Sequence, residues 1–350
     1  MKKGNIVNLI KYYAEENDSA FRTEAYEIAK NFYEKGDIQL AEYIMSLLAN
    51  NNLYVPQIYE EKTHFLKKHF FKKSNLTFSE EIKFDIEGII NATNKKIGVN
   101  KFLFIGSPGT GKTESVTYIA RVLQKNLFVV NFSQIIDSKL GQTAKNIFNL
   151  FEEINNLNNP DKAIILFDEI DALALDRINS NDVREMGRAT SEFLKGLDNL
   201  NEKVTIIATT NLSDKLDRAL TRRFDTIINF NRYSKEDLLK IAENILNSYI
   251  LKIKNISKNT KLFKKIILLS ENIPFPGELK NIIKTSLAFS DISISLDYLK
   301  RLYKTITNET VINIKTLKEQ GFSIRESEIL TNTSKSKISR DLKDNFLNEQ

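Results

Sequence analysis

The chain has no cysteine and only two histidines among its 350 residues. Disulfides, thiolate metal sites and a cysteine nucleophile are therefore excluded, and His64 and His69 are the only imidazoles a metal has available. Both lie in HFLKKHFFKK, a Lys- and Phe-rich stretch that reads as solvated side chains rather than ligands. Neither HExxH nor GxSxG occurs, so zinc-protease and serine-hydrolase signatures are missing, and any proteolysis needs a partner. Long apolar runs are lacking too. No stretch approaches the ~20 apolar residues of a membrane span. The N-terminal MKKGNIVNLIKYYAEEN is interrupted at Lys11, too early for a signal peptide. These absences predict a cytoplasmic protein with no membrane partner.

What is present is the balance of an ordinary soluble protein: 41% hydrophobic and 27% charged residues, in a chain long enough for two or three domains with a sizeable core. The formal charge is +6 and the isoelectric point is near 9.0. A nucleic-acid role and a general bias toward Lys, Asn and Ile both account for that basicity.

Apolar residues at helical spacing (Phe21, Ala25, Ile28, Ala29 and Phe32, then Leu40, Ala41, Ile44, Leu47 and Leu48) predict, with Ile6 to Ala14, an all-helical N-terminal module over 1–52. Residues 53–75 read as a linker. From 76 to 230 short apolar runs, FLFIG, FVVNF, AIILFDE, VTIIATTN and TIINF, alternate with helical stretches. Parallel strands need crossover connections, so the expected fold class is α/β, a five-stranded parallel sheet covered by helices on both faces. A helical lid is expected over 231–308 and a helix-turn-helix-like tail over 309–350.

The motif GSPGTGKT, Gly106 to Thr113, follows a strand and opens a helix. That is the context a phosphate loop requires. Gly106, Gly109 and Gly111 let backbone N–H groups turn toward phosphate oxygens at a helix N-terminus. Ser107, Pro108, Thr110 and Glu114 complete the candidate nucleotide-binding set, Lys112 reaches the β- and γ-phosphates, and Thr113 offers a hydroxyl to Mg²⁺. In AIILFDEID an apolar strand delivers Asp168 and Glu169 to its C-terminal edge. Asp168 suits the Mg²⁺ shell, and Glu169 suits orienting and deprotonating the attacking water. The expected cofactors are ATP and Mg²⁺.

Together GSPGTGKT, ILFDEIDALA, VTIIATTN and LDRALTRRFD resemble, in order and spacing, the Walker A, Walker B, sensor 1 and arginine-finger elements of the AAA family of AAA+ ATPases, over roughly Leu76 to Phe289. The resemblance implies that Asn211 is the polar sensor near the γ-phosphate. It also implies that Arg222 and Arg223 reach a neighbouring subunit's ATP within a ring, most often a hexamer in this family. Gly277, in FPGELKN, is implied beside the nucleotide, and Lys280 stands where other AAA+ groups carry a second sensor.

In protein-remodelling members the loop after the second strand lines the pore with an aromatic, an apolar residue and glycine. Here SKLGQTAKN puts Lys139, Leu140 and Gly141 there, so the aromatic grip is replaced by a lysine. The stretch DVREMGRATSEFLKGLDNL resembles the family's segment with a second pore-facing region. The stretch EAYEIAKNFYEKGDIQLAEYI is similar to bacterial ATPases that accompany subtilisin-like serine proteases. The expected partner is a protein client or a protease in trans.

An alternative partner is DNA. NIKTLKEQGFSIRESEILTNTSKSKISRDLK resembles a helix-turn-helix, with a capping box from Ser323 to Glu326 and a turn at Asn332. Its core is expected from Phe322, Ile324, Ile329, Leu330, Ile338 and Leu342, with Lys335, Ser336, Lys337 and Arg340 projecting from the third helix.

Overall fold

The computed structural model describes residues 3–15, 17–34, 37–48, 64–69, 77–95, 97–132, 135–136, 142–171, 180–212, 216–253, 255–291 and 293–347. The chain divides into two compact units, 1–63 and 64–350.

The first unit holds α1 (Lys3–Ala14), α2 (Asp18–Glu34) and α3 (Ile38–Leu48). Its small core is Ala25, Ile28, Ala29 and Ala41. Leu40 and Leu47, read as part of the buried stripe, are 37% and 61% exposed. Three short helices bury one narrow seam, and the stripe is wider than that seam.

The second unit is built on a sheet of six strands: β1 (Leu66–His69), β2 (Lys101–Ile105), β3 (Asn126–Asn131), β4 (Ala163–Asp168), β5 (Thr205–Thr210) and β6 (Thr226–Asn229), in the spatial order β1-β3-β4-β5-β2-β6. The five apolar runs are the five parallel strands. The sixth, β1, pairs antiparallel with β3 inside the segment read as linker. The expected five-stranded sheet is corrected to six. Only Leu66 of β1 is buried, so LKKH carries no apolar signal. What holds it is backbone pairing and Glu153, whose carboxylate accepts from the N–H groups of His64, Phe65 and Leu66 at 3.1 to 3.3 Å.

Alternation along each strand feeds two cores. Phe102, Phe104, Ile164, Leu166 and Ile207 face α4 (Glu80–Lys95) and α5 (Lys112–Val122). Leu103, Ile165, Phe167, Ile206 and Ala208 face α6 (Gln142–Asn155) and α7 (Ser180–Asp198). On that second face Phe132, Phe151, Phe167 and Phe193 form a ring cluster with centroids 5.2 to 5.9 Å apart. A short helix, α8 (Arg218–Thr221), leads into β6.

Beyond β6 the chain is helical: α9 (Lys235–Ile250), α10 (Thr260–Ile267), α11 (Pro276–Ala288), α12 (Asp297–Thr307), α13 (Ile314–Glu319), α14 (Ile324–Thr331) and α15 (Lys335–Leu347). Capping boxes start α9 at Ser234 and Asp237 and α14 at Ser323 and Glu326. The buried tail residues Leu317, Phe322 and Leu330 join the same core as Ile266, Leu279, Leu299, Leu302 and Tyr303 of the lid. Lid and tail are packed as one body. Ile324, expected in a tail core of its own, is 42% exposed. Among the described residues no helix is long and apolar enough to cross a membrane.

Candidate active site

Because β4, β5 and β2 are adjacent and parallel, their C-terminal ends lie side by side, and each delivers one motif to the same edge. β2 runs into the glycine-rich loop, where Gly106, Gly109 and Gly111 have φ of 152°, 76° and 95°. The last two are left-handed values that favour glycine. The loop is closed by Thr110 Oγ1 donating to the Ser107 carbonyl at 2.9 Å, and it opens α5 at Lys112. Pro108, Thr113 and Glu114 are exposed at its rim.

Lys112 is buried, and its Nζ donates to the carbonyl oxygens of Gly106 and Ser107 at 2.7 and 2.9 Å and to Asn211 Oδ1 at 2.8 Å. Burial lowers its pKa, and the carboxylates of Asp168, Asp171 and Glu169 oppose that shift. Thr113 Oγ1 donates to Asp168 Oδ1 at 3.1 Å. Asn211 Nδ2 reaches Glu169 Oε1 at 3.5 Å. Lys112, Thr113, Asp168, Glu169 and Asn211 are thus brought together.

A hydroxyl and a carboxylate side by side are hard oxygen donors, the chemistry of a small divalent cation. Among the described residues no group of three or more His, Asp or Glu forms a cage of its own. A cation here would complete its shell with water and phosphate, as Mg²⁺ characteristically does.

Arg222 and Arg223 do not bond to this cluster among the described residues. They follow α8, whose N-cap Asp217 accepts from Ala219 N–H at 2.9 Å. Arg222 is exposed. Arg223 is held within its own chain, with Nε and Nη2 on the Asp198 carboxylate at 3.3 Å and Nη1 on the Ala219 carbonyl at 2.9 Å. Lys280 is also exposed. Lys139, Leu140 and Gly141 lie outside the described residues.

The lid approaches the loop directly. Gly277 is the second residue of α11, where a helix leaves its N–H unpaired. That N–H donates to the Gly109 carbonyl at 2.7 Å. The segment between β6 and α9, which the motif reading passes over, adds two more contacts: Asn231 Oδ1 accepts from Ser107 N–H at 2.8 Å, and Tyr233 OH donates to the Thr110 carbonyl at 2.7 Å. Burial, followed by the Asp237 and Glu114 carboxylates, holds the Tyr233 phenol pKa well above its ordinary value. No motif flags Asn231 or Tyr233, because their partners are backbone atoms.

The chain matches the family described as "ATPase family associated with various cellular activities (AAA)" over residues 102–232. It is 40% identical over 133 residues to an uncharacterized AAA family ATPase, y4kL, of Sinorhizobium fredii, covering 38% of this chain and 39% of that one. It is 30% identical over 228 residues to the probable 26S proteasome regulatory subunit 10B of Caenorhabditis elegans, covering 60% and 53%. The aligned parts thus span about two fifths to one half of these relatives. A chain in the solved structure of the E. coli MS115-1 HORMA:CdnC:Trip13 complex superposes with a TM-score of 0.54 at 16% identity, over 71% of this chain and 96% of that chain, a likeness of fold. Motif order, strand order and matched span agree, and the chain carries an AAA-type ATPase domain over residues 102–232.

Proposed function

We propose that this chain hydrolyses ATP with Mg²⁺ and uses the turnover to remodel a partner protein. The observation that carries the reading is the convergence of Lys112, Thr113, Asp168, Glu169 and Asn211 at one sheet edge. Lys112 leaves the loop carbonyls that hold it and meets the β- and γ-phosphates, while the loop N–H groups cradle them. Bound Mg²⁺ supplies charge neutralisation to the phosphate oxygens, and Thr113 and Asp168 are the residues to hold it. Glu169 takes the proton of the attacking water, and Asn211, placed between Lys112 and Glu169, orients that water.

Transfer spreads charge over the γ-phosphoryl oxygens, and an added guanidinium contributes on the order of 10³ to 10⁵ in rate in comparable enzymes. In this reading Arg222 supplies it to a neighbouring subunit of a hexameric ring. The relative named as a proteasome regulatory subunit supports a protein client, with a protease as one form of partner.

The test is Mg²⁺-dependent phosphate release by the full chain, followed by affinity capture with Glu169→Gln held in ATP, with and without nuclease. Turnover by the wild type and a protein retained after nuclease support the proposal. No turnover at any protein concentration overturns the enzymatic reading, and retention of DNA alone overturns the client.

One observation favours a second reading, a DNA-associated ATPase: Ser336, Lys337 and Arg340 are exposed on α15, alongside Lys335, which pairs with Glu328 at 3.5 Å. Because the tail shares the lid's core, truncation is a poor test. Lys337→Glu with Arg340→Glu should abolish salt-sensitive duplex binding if this reading holds.

A further inference from the structure

Thr209 lies in β5, two residues before Asn211, and is 1% exposed. Its hydroxyl has one proton and two lone pairs to give. The proton goes to Asp168 Oδ1 at 2.6 Å, and a lone pair accepts the Glu169 N–H at 2.9 Å. The Thr209 carbonyl also accepts the N–H of Ile170 at 3.0 Å. One residue therefore holds three consecutive residues of the acidic motif.

That grip falls where the backbone needs it. Glu169 has φ of 56°, a left-handed conformation that a non-glycine residue adopts at a cost in energy and keeps only when its surroundings hold it. The bonds to Glu169 N–H and Ile170 N–H flank that residue and fix the direction in which its carboxylate leaves the strand. The bond to Oδ1 sets the rotation of the Asp168 carboxylate and leaves Oδ2, 3.4 Å from Thr113 Oγ1, the freer oxygen. A valine of the same shape fills the space in β5 equally well and makes none of the side-chain bonds.

We propose that Thr209 is a positioning residue for hydrolysis, acting through Asp168 on the divalent cation and through the Glu169 backbone on the attacking water. The assignment rests on the reading of this site as a Mg²⁺-dependent ATPase.

The experiment compares wild type, Thr209→Val and Thr209→Ser in the full chain, by steady-state turnover and by fluorescence titration of a labelled ADP with and without Mg²⁺. Losing a partner that orients a metal-binding carboxylate costs about 10- to 100-fold. Thr209→Val should lower kcat by that factor with KM for ATP little changed. It should also raise the Mg²⁺ concentration needed to tighten labelled ADP binding, and leave Mg²⁺-free binding as in the wild type. Thr209→Ser, which keeps the hydroxyl, should recover most of both. If the valine variant does not fold, Thr209→Ala carries the same comparison. Unchanged kcat and Mg²⁺ requirement in Thr209→Val, or a serine variant as impaired as the valine one, overturns the positioning role and leaves the ATPase reading standing. A wild type that binds labelled ADP without any Mg²⁺ effect and releases no phosphate overturns the ATPase reading itself, and this assignment with it.

Discussion

The backbone N–H of Gly277 donates to the carbonyl oxygen of Gly109 at 2.7 Å, so the start of α11 meets the glycine-rich loop main chain to main chain. A Cβ on Gly277 would stand 2.7 Å from Gly109 Cα and 3.1 Å from its carbonyl oxygen. Backbone cannot yield as a side-chain end can. Gly277→Ala should therefore move the start of α11 off the loop and weaken nucleotide binding by about tenfold, equivalent to about 1.4 kcal/mol, with the sheet intact. Titration with labelled ADP checks the first part and circular dichroism the second; unchanged affinity would mean that the contact is incidental to the nucleotide site.

The two adjacent arginines should separate. Arg223 is a strut inside its own chain, tying the loop after α8 to the end of α7 through Asp198. Arg222 is exposed and available to a neighbour. Arg222→Ala should lower turnover by about 10³-fold or more with no change in melting temperature, and mixing it with Lys112→Ala subunits, which still carry Arg222, should restore part of the rate. Arg223→Ala should lower the melting temperature, as should Asp198→Ala, and the double variant should fall short of their sum because the two share one interaction. The pair is about one-third to one-half exposed, so the thermal shift should be small.

Most of the sheet is legible in the sequence because strands buried on both faces read as continuous apolar runs, and AIILFD and TIIATT are buried along nearly their whole length. The strand β1 is not, since LKKH is polar and its pairing depends on β3 and on a carboxylate 87 residues away. The meeting of the glycine-rich loop and the acidic pair at one sheet edge is legible because each follows directly on an apolar strand. Thr209 is not: within VTIIATTN a threonine reads as β-propensity, and only the fold shows which atoms its hydroxyl meets. The tail illustrates a third kind of gap. Its capping box and turn at Asn332 follow from local sequence, whereas the burial of Leu317 and Leu330 against the lid follows from packing that periodicity does not name.

Gly196, in α7, faces Phe151 so closely that a Cβ would fall 2.1 to 2.4 Å from the ring. That ring is 4% exposed and packed edge-on or tilted against Phe167 and Phe193, so it has no free direction to move. Gly196→Ala trades a gain in helix propensity for overpacking of about 1–3 kcal/mol. The net effect should be a clear loss of stability in urea titration, and Gly196→Ala combined with Phe151→Leu should recover part of it. A neutral or stabilising single variant would mean that α7 shifts freely over α6.

Glu326 ties the tail to the lid and gives that junction a pH dependence. Its carboxylate accepts from Ser323 N–H at 2.8 Å, completing the α14 capping box, and from Lys265 Nζ of α10 at 3.0 Å. The same Lys265 Nζ donates to the Gly321 carbonyl and lies 4.4 Å from the Phe322 ring centre. Burial pulls the Glu326 pKa upward, but the Ser323 and Lys265 bonds together outweigh it, and the net shift is below the ordinary value of 4.5. With the folded value depressed, the stabilisation is fully present above pH 4.5, where the carboxyl is ionised in both states, and is lost as pH falls through the lower folded value. Wild type should therefore exceed Glu326→Gln in stability at neutral pH, with the gap closing as acid protonates Glu326. Lys265→Met should lower wild-type stability at neutral pH and shrink that gap. Amide hydrogen exchange along α14 between pH 7 and pH 3.5 reads the effect at its source, and a Glu326→Gln difference that stays constant across that range would rule out an ionised Glu326 as the tether.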